Sequence, residues 1–208
     1  MPSLRQLLDT HATLLLLDAA SSRIQVGLLS RHHETRWASA DTEAGTGIFA
    51  CVEQLAINPT SVSATIFCSG PGSILGIRTS AMAIRTWNML SPRATYSYHS
   101  LKIVAAALQE PETSIIADAR RERWHVQTHG EPIRQVDASA LSGRVLIPER
   151  FRHWSALPED TATTPYNIAE LLPKAADAPL FQPTENPDAY IHTEPTYKKW
   201  EPQIHRTP

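Results

Sequence analysis

The chain has 208 residues, 42% hydrophobic and 19% charged, with a formal net charge of -2. This supports a packed core in one large domain or two small lobes, and excludes a chain disordered through its middle. The near-neutral balance gives no support to nucleic-acid binding by the chain alone, and no apolar run approaches the ~20 residues of a membrane helix.

Residues 1–11 read as a short helix or arm, with Leu4, Leu7 and Leu8 on one side. Residues 13–17 are an apolar strand ending at Asp18. Residues 23–29 alternate, with Ile24, Val26 and Leu28 on one face, as a half-buried strand does. The pair predicts a hairpin with Asp18 at its tip. A third strand is expected over residues 34–38. Thr46 is placed to cap a helix bearing Phe49, Val52 and Ala56, ended by Asn58-Pro59. The two cysteines, Cys51 and Cys68, lie in apolar surroundings and read as buried free thiols of a reducing, cytoplasmic protein.

The segment from Thr65 to Leu90 is the most informative. Residues 65–68 predict a strand, Ser69-Gly70-Pro71-Gly72 a tight turn, and Ser73 the cap of a helix running to Leu90. Free amides behind a glycine turn can cradle a phosphate. They can equally serve only as scaffold for the helix. The turn is neither a Walker A loop nor a dinucleotide fingerprint. Within the helix, Ile74, Ile77, Ala81 and Ile84 form a stripe that would pack on a sheet, while Met82, Met89 and Leu90 fall outside it. Burial on a second side is therefore expected, by another layer of the chain or by a partner. Arg78 and Arg85, seven positions apart, share a face that is either solvated or the rim of an interface.

Further strands are expected over residues 94–98, 114–117 and 123–128. Ser100 would cap a helix bearing Leu101, Val104, Ala105 and Leu108. Asp118 closes its strand as Asp18 does, which hints at a duplicated fold. Beyond Pro132 the rhythm fades. One short helix is expected over residues 167–172, and the tail from 182 to 208 reads as extended and packed on the body or partly loose. The order of elements fits an α/β fold with a mixed sheet, and its first half matches an actin-like lobe.

Several segments, in order, resemble one family. They are Leu14-Leu-Leu-Leu-Asp-Ala-Ala-Ser21, Ser69-Gly-Pro-Gly-Ser-Ile-Leu-Gly-Ile-Arg78, His99-Ser-Leu-Lys-Ile-Val-Ala-Ala106, Ile116-Ala-Asp-Ala-Arg-Arg-Glu-Arg-Trp124 and Glu194-Pro-Thr-Tyr-Lys198. Together they look like bacterial TsaB, also called YeaZ, the dimerisation subunit of the tRNA threonylcarbamoyladenosine machinery. Ile74-Leu75 replaces the family's Phe-Thr, Ala19-Ala20 lacks its hydroxyls, and Arg121-Glu122-Arg123 lacks its hairpin glycine, so the resemblance is to a divergent member.

The resemblance implies an actin-like ATPase (ASKHA, ribonuclease H-like) α/β fold with two lobes of mixed sheet, the second reduced. The lobes would span residues 1–98 and 99–208. It implies a non-catalytic subunit that pairs with a TsaD-like catalytic subunit and a TsaE-like ATPase, meets tRNA only through that complex, and forms a homodimer when alone. No cofactor is implied for this chain, since ATP and metal belong to the partner subunits. The expected partner interface is Phe49, Val52, Ile77, Arg78, Ala81, Met82 and Arg85. The candidate vestigial nucleotide site is Asp18, Gly70, Gly72 and Ser73.

Two other functions stay open from the residues. One is a small-molecule kinase of the actin-like class, with Asp18 and the turn from Gly70 to Ser73 around the phosphates. The other is a homodimeric interaction protein that has lost any tRNA role. No metal site is expected. His125 and His129 have ligand-like spacing, but on an extended strand they would stand roughly 13 Å apart. The adjacent pair His32-His33 chelates poorly, and His11, His99, His153, His192 and His205 are scattered. Trp37, Trp87, Trp124, Trp154 and Trp200 read as core or interface anchors. Arg120, Arg121 and Arg123 read as a solvated basic hairpin, and Asp118 as a turn aspartate bonded to nearby amides.

Overall fold

Four consecutive leucines, Leu14 to Leu17, have no solvent exposure, because their strand lies in the middle of a sheet covered on both faces. The computed structural model of the chain describes residues 1–190. Helix α1 (Leu4–Thr10) opens it, held by a capping box between Ser3 and Gln6. Strands β1 (Thr13–Asp18), β2 (Ile24–Ser30) and β3 (Arg36–Ala40) form an antiparallel meander. Helix α2 (Ala44–Gln54), strand β4 (Ala64–Gly70), helix α3 (Ile74–Leu90) and strand β5 (Ala94–His99) follow as crossover units. They place β4 parallel to β1 and β5 parallel to β4.

After helix α4 (Ser100–Leu108) the same plan starts again. Strands β6 (Thr113–Asp118), β7 (Arg123–Gln127) and β8 (Arg134–Asp137) form a second meander. Strand β9 (Arg144–Pro148) lies parallel to β6, and β10 (Ala162–Thr164) parallel to β9. The first sheet runs β5-β4-β1-β2-β3 and the second β10-β9-β6-β7-β8, which is one order used twice. The second copy is reduced. Where the first has α2 and α3, it has only a 3-10 turn (Ala138–Ala140) and irregular backbone over residues 149–161. Helix α5 (Ile168–Lys174) then packs beside α4. The two-residue strand β11 (Gln182–Pro183) returns to the first sheet, antiparallel to β5.

Two helix starts and the regularity of the chain's second half differ from expectation. Helix α2 starts at Ala44 behind Glu43, so Thr46 lies inside its first turn and is not the cap. Helix α4 is preceded by His99, and the Ser100 hydroxyl instead donates 2.5 Å to the carbonyl of Pro71, tying α4 to the glycine turn. The chain beyond Pro132 is more regular than its composition suggests, because β8, β9 and β10 complete the second sheet. Asn167 does cap its short helix, its side chain accepting from the amide of Ala169. Among the described residues, no helix is long and apolar enough to cross a membrane. His192, Trp200, His205 and the segment from Glu194 to Lys198 with Tyr197 lie outside the described residues.

Candidate functional site

Helix α3 begins where the sequence places it. The Ser73 side chain accepts from the amide of Gly76, the Ser73 amide donates 2.7 Å to the carbonyl of Ala20, and the helix runs unbroken to Leu90. One side of it is core: Ile77, Ala81, Ile84 and Trp87 are buried, and so is Val52 on the neighbouring α2. Val52, Ile77 and Ala81 are therefore not surface residues. They fill the chain's own interior, so they are removed from the expected interface. Ile74, expected on the inner stripe, is exposed at the first turn.

The opposite side is open. Leu75 is 77% exposed, Met82 57% and Met89 86%, and Phe49 on α2 is 50% exposed beside them. Leu75, Met82 and Met89 repeat every seventh position and so share one helix face. Thr79 and Thr86 turn their hydroxyls back onto the carbonyls of Leu75 and Met82, at 2.8 and 2.9 Å. The Phe49 ring meets Trp87 edge-on with centroids 6.2 Å apart, which fixes the seam between the two helices. Arg78 and Arg85 line the far flank of α3, where both approach Asp188, at 3.5 and 4.0 Å. Among the described residues, the chain's own segment around Asp188 thus borders this face and leaves Leu75, Met82 and Met89 exposed.

One side of the expected phosphate cradle packs against the Ala19-Ala20 turn of the first hairpin. Gly70 and Gly72 have positive φ, at 115° and 151°. A Cβ on Gly72 would meet the carbonyl oxygen of Ala20 at 2.4 Å, and one on Gly76 would meet that of Ala19 at 2.2 Å. The glycines serve the close approach of two backbone turns. Asp18 is fully buried. Its Oδ2 accepts from the hydroxyls of Tyr98 (2.5 Å) and Tyr166 (2.7 Å), and its Oδ1 accepts from the amide of Ala20 (3.1 Å). Burial raises its pKa, against the opposing effect of those hydrogen bonds. The same burial, with the Asp18 charge nearby, pushes both tyrosines and the Cys68 thiol well up. Asp18 is thus committed to internal contacts, which corrects its assignment to a nucleotide site, whereas Gly70, Gly72 and Ser73 line a surface cleft. Tyr98 and Tyr166 carry no motif that marks them. Their positions, 80 and 148 residues from Asp18, become meaningful only in the fold.

Asp118 is the counterpart in the second sheet and is also structural. It accepts from the amides of Arg120, Trp154 and Ser155, the last at 2.9 Å. Burial acts to raise its pKa, but these bonds prevail and hold it below the ordinary value. Arg120 lies 4.3 Å over the exposed Trp154 ring, and Arg123 pairs with Asp137. The Arg120–Glu122 tip has positive φ at all three residues without a glycine. A cleft of about 260 Å³ lies between the two sheets, lined by Gly72, Leu75, Asp118, Arg120, Arg152 and Tyr190 among others. His125 lies on β7 and His129 just past it, with His129 Nδ1 3.2 Å from the carbonyl of Ala105. Among the described residues, no three His, Cys, Asp or Glu side chains group as metal ligands.

No family model and no curated protein matches the chain. Solved structures do. YeaZ from Pseudomonas aeruginosa superposes with a TM-score of 0.57 at 19% identity, covering 78% of this chain and 90% of that one. An uncharacterised protein with similarity to peptidase YeaZ, also from Pseudomonas aeruginosa, superposes with a TM-score of 0.56 at 17% identity, covering 79% and 90%. At such identities the likeness establishes the fold, which is the actin-like α/β architecture in two mixed sheets.

Proposed function

We propose that this chain is a divergent TsaB (YeaZ)-type accessory subunit, cytoplasmic and without catalysis of its own. It docks on a TsaD-like catalytic subunit for threonylcarbamoylation of adenosine 37 in tRNA, alongside a TsaE-like ATPase. The reading is supported by the YeaZ-like fold, the sequence blocks around the glycine turn and Asp118, and above all by the exposed stripe of Leu75, Met82 and Met89. A monomer has no use for apolar side chains at seven-residue spacing on a long open helix, whereas a helix–helix contact does. Phe49, Met82, Arg78 and Arg85 remain in the proposed interface, joined by Leu75 and Met89. The two sheets are proposed to belong to lobes that meet near residues 98 and 99. The kinase alternative loses support from the buried Asp18.

The test compares two substitutions on one helix. Met82→Glu is expected to abolish co-purification with the native cell's TsaD-like subunit while shifting the melting temperature by no more than a few degrees, as surface changes do. Ile77→Glu, five positions earlier on the buried side, is expected to unfold the chain, since it places a charge in the core. Retention of the partner by a folded Met82→Glu variant would refute the docking role of this face.

A further inference from the structure

We infer that Asp18, Gln25 and Tyr166 form a ligand-independent clasp, which holds the segment returning from the second sheet against the first. Asp18 on β1 and Gln25 on β2 are directly opposed in the strand register. Both address residues 166–168, which begin two positions after the end of β10. The Tyr166 hydroxyl donates to Asp18 at 2.7 Å. The Gln25 side chain donates 3.2 Å to the Tyr166 carbonyl and accepts at 2.8 Å from the amide of Ile168. Asp18, Gln25, Tyr166 and Ile168 are all buried. The side-chain amide of Gln25, with donor and acceptor on one head, makes both contacts at once. The Tyr166 ring also packs edge-on against Phe151, centroids 4.8 Å apart.

A second tie lies next to the first. The Ser22 amide, in the β1–β2 turn, donates 3.0 Å to the carbonyl of Arg150, and the Arg150 side chain pairs with Asp41. The tip of the first hairpin is thus fastened twice to the irregular backbone of the second half. Releasing this segment requires breaking hydrogen bonds in a dry interior, where each orphaned group costs more than an ordinary bond is worth. A carboxylate in this position would reach a phosphate-bound metal only from the cleft surface. Asp18 is withdrawn from that surface and fastens the chain to itself.

Hydrogen exchange on the full chain tests the clasp. Tyr166→Phe removes one oxygen and keeps the ring on Phe151. It is expected to raise exchange about tenfold or more over residues 14–18, 24–30 and 166–172, the effect of losing one bond to a buried carboxyl, and to leave β6 and β7 unchanged. Gln25→Ala is expected to give the same pattern. Independently of any variant, magnesium-ATP added to the wild-type chain is expected to change exchange at neither 18–22 nor 69–76. A uniform increase in every strand, no increase in the variants, or protection of the turns by magnesium-ATP would each overturn the clasp.

Discussion

Asp18 and Asp118 occupy equivalent places, each closing the first strand of a meander, and their surroundings drive them in opposite directions. Asp18 is dry, and its native pKa lies above the ordinary value of 3.8. Its contribution to stability is therefore full below that value and is lost as pH rises through the native pKa. Asp118, held by three backbone amides, has a native pKa below 3.8. Its contribution is present above the ordinary value and is lost as pH falls through the native one. Denaturant unfolding across the acid range should show this. Asp18→Asn is expected to make stability rise more steeply with pH than in the wild type, and Asp118→Asn less steeply. Identical slopes in all three proteins would mean that neither carboxyl differs from its unfolded state. The sequence makes both aspartates legible as strand-ending turn residues. It is silent on their difference, because that difference comes from tyrosine hydroxyls and loop amides brought in from remote positions.

At the scale of elements, the strand, glycine turn and helix around Gly70–Ser73 are readable from residue type alone. A β-branched run, two glycines and a serine cap each have a local physical reason. What the glycines face is not readable, because it depends on the turn of Ala19 and Ala20 in another hairpin. Gly76→Ala therefore has two opposing effects. Alanine favours a helix over glycine by about 1 kcal/mol, but its Cβ would stand 2.2 Å from a backbone carbonyl that cannot swing aside. A net loss of about 1–3 kcal/mol is expected in urea unfolding, as for overpacking. Gly45→Ala in α2 is the control, since nothing lies within 4 Å of its added Cβ, and a gain of about 0.5–1 kcal/mol is expected there. Equal gains at both sites would show that the two turns are not in contact. The strands β8 to β10 escaped sequence reading for a different reason. They are short: Arg134–Asp137 is half exposed and mostly polar, so neither period nor composition marks it, and the buried apolar run of Val145, Leu146 and Ile147 in β9 is too brief to show a period.

For the whole molecule, the repeated strand order was foreshadowed only by the paired aspartates, since the two halves share no sequence repeat. The return of β11 to the first sheet had no local signal, because a two-residue strand has none. Which helix carries the open face was legible from Met82, Met89 and Leu90 lying off the inner stripe. Which residues stay exposed on it was not, because Ile77, Ala81 and Val52 are claimed by packing between α2, α3 and the sheet. The surface that suits a partner also suits a second copy of the chain. Light scattering over a dilution series is therefore expected to show a reversible dimer for the wild type and a monomer for Leu75→Glu. A monomer for both would confine the face to partners of a different sequence.

Two of the three outermost side chains on that face are thioethers, Met82 and Met89, while both thiols of the described chain are buried. Peroxide would reach the methionines first and add an oxygen to each sulfur, converting an oily ridge into a wet one without disturbing the core. Association through this helix would then fade under oxidative stress and return when reductases restore the sulfides. The chain would remain folded throughout.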